Sequence, residues 1–251
     1  MSLAPGTRIA ADEIGARPWI MRQSWYNLLF AHWPIPARVM AERVPAGLDL
    51  DTWDGEAWIG VVPFGMRGVR LRFTPAVPGL SRFLELNVRT YVTAGGKPGV
   101  YFFSLDAASA PGVALGRAWY KLPYHRARMS MREAGGWIEY RSRRSRPPAE
   151  FRGRYRPIGD VFHAAGGTLE DWLTARYCLY TASRGRLWRG DIHHAPWPLQ
   201  SAEAEIEVNT MAAAHGFVLP ESKPLLHFAK RLDVVAWKLA KLKAAATSTM
   251  S

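Results

Sequence analysis

A single cysteine, Cys178, stands in 251 residues. One thiol excludes an internal disulfide, and without a second it builds no thiolate metal site. Its neighbours Tyr177, Leu179 and Tyr180 read as a buried setting, and a reducing, cytoplasmic compartment is the simplest expectation. Long hydrophobic runs are also missing: nothing approaches the roughly 20 apolar residues of a membrane helix. The first residues lack a basic segment followed by an apolar core, so no signal peptide is read there. Residues 1–17 read as a loose leader. No run of Ser, Gly or Pro divides the chain, and one domain over 1–251 is expected. There is no P-loop, no Gly-x-Gly-x-x-Gly turn and no Gly-x-Ser-x-Gly elbow. Neither His-x-His nor His-x-x-x-His occurs, and adjacent His193 and His194 would point to opposite faces of a strand. No metal and no cofactor is expected.

Acidic residues are the other shortage. The chain has 33 Lys and Arg against 21 Asp and Glu, a net charge of +12. An anionic partner is one consequence. Arginine is densest from Arg141 to Arg156. Only Phe151 and Tyr155 interrupt that segment as aromatics, and no helix-turn-helix or RNA-binding signature accompanies it. A solvated hairpin is therefore read in preference to a nucleic-acid groove.

What is present is β grammar. Residues 83–92 alternate: Glu85, Asn87, Arg89 and Tyr91 share one parity, while Leu86, Val88 and Val92 share the other. Period-two alternation of this kind marks a half-buried strand. Its polar side is either a site wall inside a barrel or a solvated outer face. Asp54-Gly55 reads as the turn of a hairpin between 48–53 and 57–64, with a second ribbon over 66–73. Gly95 to Gly99 turns the Glu85 strand into 100–105. Ala37 to Val44 and Ala107 to Leu115 read as short helices. Antiparallel strands are expected at 129–132, 137–143 and 152–155. Leu169 to Ala175 reads as a helix capped by Thr168, followed by strands at 176–180 and 187–192. Residues 202–209 fit helix or strand. Residues 225–242 carry leucines at helical spacing with a basic opposite face, the pattern of a membrane-surface helix. Residues 232–237 also read as a closing strand, which is favoured, with a frayed basic tail over 238–251. Many short strands and few helices point to a closed or sandwiched antiparallel architecture.

Six local motifs occur in order: Phe30-Ala31-His32-Trp33-Pro34, the Glu85 strand, Phe103-Ser104-Leu105-Asp106-Ala107, Leu122-Pro123-Tyr124-His125, Arg176-Tyr177-Cys178-Leu179-Tyr180, and 193–200 with its Pro196-Trp197-Pro198. Together they resemble the DUF2071 (YqjF-like) family of uncharacterised bacterial proteins, from about Met21 to Trp237. That family is distantly similar to acetoacetate decarboxylase. The resemblance implies a mainly β (α+β) fold: an antiparallel β-barrel of the decarboxylase type, with a few short peripheral helices and a ligand cavity inside. The decarboxylase carries its machinery on a strand with an aromatic-x-Glu-Leu context, matched by Phe83-Leu84-Glu85-Leu86. Its second segment runs from Gly-Arg to Tyr-Pro-Lys-Lys, and here 116–125 resembles it. With the prolines superposed, Tyr124 and His125 stand where the lysine pair would be. Tyrosine forms no imine, so Schiff-base decarboxylation is not implied. Lys121 falls three residues early, an offset that turns it to the opposite face of an extended strand.

The candidate catalytic residues are Glu85, Lys121, Tyr124 and His125. The candidate ligand-binding residues are His32, Trp33, Asn87, Arg89, Tyr91 and Arg117. Arg89 suits a carboxylate, and Glu85 or a histidine suits proton transfer. Glu85 and Arg89 lie roughly 13 Å apart along one strand, too far to grip one small group unaided. The expected partner is a small, anionic organic ligand, bound without Schiff-base chemistry. The alternatives are an enzyme acting on an oxo-acid through Lys121 or Glu/His/Tyr acid–base work, and a nucleic-acid or membrane-surface binder. A homodimer would be compatible with exposed apolar barrel faces.

Overall fold

The computed structural model describes residues 18–77 and 81–242. The expected leader, 1–17, and the tail from 243 onward lie outside the described residues. Fourteen strands join one sheet. They are β1 (Met21–Pro36), β2 (Asp49–Leu50), β3 (Glu56–Leu71), β4 (Phe83–Ala94), β5 (Lys97–Ala107), β6 (Tyr124–Arg126), β7 (Arg128–Ala134), β8 (Trp137–Ser145), β9 (Pro148–Phe162), β10 (Cys178–Ser183), β11 (Arg186–His194), β12 (Leu199–Asn209), β13 (Leu225–Ala236) and β14 (Ala240–Lys241). Three short α-helices accompany them: α1 (Ala37–Ala41), α2 (Ala110–Trp119) and α3 (Leu169–Thr174). Among the described residues, no helix is long and apolar enough to cross a membrane.

The sheet closes on itself unevenly. Strands run β11-β10-β5-β4-β3-β1-β13, and β13 returns to β11 through Ile192 opposite Ala236 and His194 opposite Val234. Beyond β13 the sheet continues through β12, β9, β8 and β7 as a wing. The wing folds over the outer face of β1, β3 and β4. There Leu29, Ala31, Trp33, Ile35, Ile59, Val61, Leu86 and Val88 pack with Ile138, Tyr140, Phe151 and Tyr155 from the wing in one buried cluster. The fold is thus mainly β, but it is not purely antiparallel: β10 runs parallel to β5, and β6 does too.

Several sequence expectations change in detail. The Asp54-Gly55 turn forms, with both residues at positive φ. Asp49–Leu50, however, pairs with Val92 and Thr93 of β4, not with β3. The ribbons expected over 57–64 and 66–73 are one continuous strand, β3. α2 starts three residues later than expected, where Ser109 accepts from Gly112 N and Pro111 fits the first turn. Residues 225–236 are strand, which removes the membrane-surface helix. The chain does not fray directly after Lys238, since β14 pairs with Trp188 and Arg189 of β11.

Two irregularities set which side chains face inward. Asn27 has φ +50° within a register shift between Tyr26 and Ala31. A residue inserted into a ladder reverses the alternation. Trp25 and Gln23 therefore line the interior before it, while Leu28 and Phe30 pack inward after it. On β5, a shift opposite Val88 and Arg89 leaves Phe103 outside the pairing. Val100, Phe102 and Leu105 consequently all line the interior.

Candidate functional site

Inside the barrel lies a cavity of about 200 Å³ whose walls are mostly apolar. Met66, Phe83, Phe102, Leu105, Leu122 and Trp197 are typical of them. From β4, Glu85 and Arg89 line this cavity, whereas Asn87 and Tyr91 are buried but do not line it. The polar side of the alternation at 83–92 is therefore not a solvated outer face.

Glu85 pairs with Tyr124, whose hydroxyl donates to Oε2 at 2.8 Å. Burial pushes the Glu85 carboxyl up to about 7, against the opposing pull of the Tyr124 and Asn87 hydrogen bonds. Burial together with the neighbouring Glu85 charge holds the Tyr124 phenol well above its ordinary range, so it remains a donor. Glycine at 116 makes the pairing sterically accessible: a Cβ there would come within 2.4 Å of the Tyr124 ring. Arg117 Nε donates to Tyr124 O at 2.7 Å, which ties the end of α2 to β6.

The cationic part of the cavity is built from two distant segments. The Arg89 guanidinium lies 5.2 Å from the Phe30 ring centroid and 5.8 Å from that of Tyr91. Its Nη2 reaches Leu173 O at 3.5 Å, and its buried Nε has no partner. Arg176, beyond α3, donates through Nε to Trp172 O at 2.6 Å and through Nη1 to Asp51 at 2.5 Å. Its buried Nη2 is left without a partner. Both arginines line the cavity, and so do Trp25 and Tyr120, whose Nε1 and hydroxyl are buried and unpartnered. His194 completes this wall. Its Nδ1 donates to Ala195 O at 2.7 Å, and burial lowers it to about 4, so it is neutral at physiological pH.

The other sequence candidates separate. His32 is fully buried in the interior beneath Arg89, with Nε2 bonded to Tyr91 OH at 2.7 Å; burial first and Arg89 second hold its pKa well below the ordinary value. Trp33, one residue on, has the opposite parity and belongs to the core beneath the wing, not to the cavity. Arg117 is exposed and acts on Tyr124 only through the backbone. His125 lies in the parallel register opposite Asp106, outside the cavity lining, with its pKa lowered by burial and by Arg144 and Arg117. Lys121 is also outside: its Nζ sits 4.9 Å over the Trp188 ring in a separate surface pocket. Among the described residues no lysine lines the interior cavity. Among the described residues no group of three His, Cys, Asp or Glu could hold a metal ion. Residue-by-residue reading missed Arg176, His194, Trp25 and Tyr120. Arg176 and His194 lay within quoted motifs, but nothing local showed that they meet Arg89.

The profile of DUF2071, an uncharacterized conserved protein family, matches residues 22–233. The chain belongs to the DUF2071 family. The uncharacterized protein YqjF of Bacillus subtilis (strain 168) is 51% identical over 224 residues, spanning 89% of this chain and 93% of that protein. Among solved structures, the enduracididine biosynthesis enzyme MppR complexed with pyruvate superposes with a TM-score of 0.65, at 12% identity, covering 96% of this chain and 99% of that one. Acetoacetate decarboxylase from Legionella pneumophila superposes with a TM-score of 0.61 at 11% identity, covering 97% and 98%. At such identity these two likenesses establish a shared fold. The DUF2071 chain therefore shares the decarboxylase scaffold.

Proposed function

We propose that the barrel binds a small organic carboxylate. Its anionic end meets Arg89 and Arg176, and its oxygen-bearing body reaches toward the Tyr124–Glu85 pair. The observation that carries this reading is the set of unpartnered donors on the cavity wall: Arg89 Nε, Arg176 Nη2 and Trp25 Nε1. Each buried donor left unbonded costs about 1–3 kcal/mol, and a carboxylate would satisfy several at once. Asp51 neutralises only one of the two guanidinium groups. The second arginine, absent from β4 itself, also removes the reach problem between Glu85 and Arg89. The MppR neighbour is complexed with pyruvate, a molecule of the size and charge class this wall suits. No described residue lining the cavity is a lysine, so imine chemistry is not part of the proposal.

A second reading concerns Glu85 alone. With a pKa of about 7, it is matched to accept and return a proton at neutral pH. A bound oxo-acid could then be enolised beside the Tyr124 hydroxyl. The lone thiol Cys178, raised to about 11 mainly by burial, suits a cytoplasmic setting and takes no part in either reading.

The test is calorimetric titration with two- to six-carbon carboxylates and 2-oxo-acids, pyruvate included. Binding by at least one, weakened about tenfold or more in Arg89→Gln, supports the reading. Absence of binding by every acid would sink it. Solvent-deuterium exchange into the pyruvate methyl group, present in wild type and lost in Glu85→Gln, would support the enolisation reading.

A further inference from the structure

The lysine that the interior does not use stands at a second concavity. α2 ends in a tight turn in which the Tyr120 and Leu122 N–H groups both bond to Gly116 O. Between them Lys121 has φ +52°. This left-handed position after a helix is one that glycine fills most readily, because a Cβ is disfavoured there. The turn puts Lys121 out of the cavity, although its neighbours Tyr120 and Leu122 both line that cavity. Its Nζ rests 4.9 Å over the Trp188 ring. Ile20, Trp119, Trp188, Lys238 and Leu239 complete a pocket of about 250 Å³ with Lys121, and Tyr120 is shared between this pocket and the interior.

The lining is unusual in its charge. Among the described residues it contains two ammonium groups and no acid, a lining that suits an anion. Trp188 Nε1 is buried and bonds to nothing. Trp119 keeps 43% of its surface exposed, a large apolar area left open for a partner. Cations, an unpartnered N–H and flat indole walls together describe a host for an anion carried on a ring. The volume lies at the small end of ligand pockets, which suits a one-ring acid better than a nucleotide.

We propose that this pocket is a second binding site, separate from the barrel interior, for a planar aromatic carboxylate. The ring lies against the indoles of Trp119 and Trp188, and the carboxylate meets Lys121, Lys238 and the Trp188 N–H. The proposal does not rest on the reading of the interior cavity.

Fluorine NMR titration with 4-fluorobenzoate tests it, with 4-fluorobenzamide as the uncharged control. The benzoate should bind and the benzamide should not. Lys121→Gly should weaken the benzoate about tenfold or more, while its melting temperature stays level or rises, because glycine relieves the left-handed residue. Trp188→Phe keeps a ring, loses the N–H, and should weaken binding less. Arg89→Gln should leave the benzoate affinity unchanged. Wild-type affinity in Lys121→Gly would overturn the proposal, as would failure of 4-fluorobenzoate to bind at millimolar concentration. Loss of binding in Arg89→Gln with retention in Lys121→Gly would place the probe in the interior. That result would overturn this proposal while leaving the interior reading intact.

Discussion

On one side of β4, Leu86 and Val88 press into the layer beneath the wing; on the other, Glu85 and Arg89 line the interior cavity. The layer beneath the wing bonds its buried phenols, although Arg144 Nε on β8 has no partner. Tyr140 OH bonds to Glu85 O at 2.7 Å, and Tyr155 OH bonds to Asn27 O at 2.8 Å. The interior leaves more polar atoms unbonded: Trp25 Nε1, Asn87 Oδ1, Arg89 Nε, Tyr120 OH and Arg176 Nη2 are buried without partners. Buried polar groups in native proteins are nearly always satisfied, and exceptions mark strain, function or an absent small molecule. One face of the same strand packs beneath the wing, and the other carries part of the unbonded donor set on which the proposed ligand reading rests.

Substitutions should separate the two faces. The largest effect belongs to the wing side. Phe151→Ala removes a ring that is 1% exposed in the shared cluster, and a loss of about 3–5 kcal/mol is expected from denaturant unfolding. A loss below about 1 kcal/mol would show that the wing is loosely packed.

Glu85→Gln comes next, and its effect depends on pH. Glu85 has a native pKa of about 7, above its unfolded value of 4.5. The native state therefore holds the proton more tightly, and this contribution to stability is fully present below pH 4.5. It disappears as pH rises through 7, by about 3 kcal/mol in all. Glutamine cannot ionise, so the variant should gain stability relative to wild type between pH 5 and 8. Parallel pH–stability curves would contradict the buried-carboxyl account. Tyr124→Phe removes a hydrogen bond that lowers the Glu85 pKa. The Glu85 titration, followed by carboxyl-labelled NMR, should shift upward. Arg89→Gln should be the mildest for stability, within about 1 kcal/mol, since the guanidinium reaches Leu173 O only at 3.5 Å.

The parity of β4 was legible because strand alternation is a local property. Parity alone puts Glu85 and Arg89 on one face, but not whether that face is a wall or an outer surface; motif resemblance makes Tyr124 a candidate without showing that it meets Glu85. His32 and Trp33 could not both belong to that wall, because neighbours on a strand oppose one another; only His32 points inward. Trp25 escaped notice because the Asn27 irregularity reverses the alternation of β1, and nothing in an asparagine announces that. Arg176 and His194 escaped for a different reason. They join the cavity only through closure of the barrel: β10 beside β5, and β11 beside β13. Lys121 left the cavity because a helix-ending turn, not an extended strand, carries it.

The most direct test of the account is a crystal structure of the protein soaked with pyruvate, or with the tightest acid from the calorimetric panel. The account predicts carboxylate density within hydrogen-bond distance of Arg89 Nε and Arg176 Nη2, with the rest of the molecule directed toward Tyr124. Ordered water bridging those same donors, with the acid absent or bound elsewhere, would contradict it.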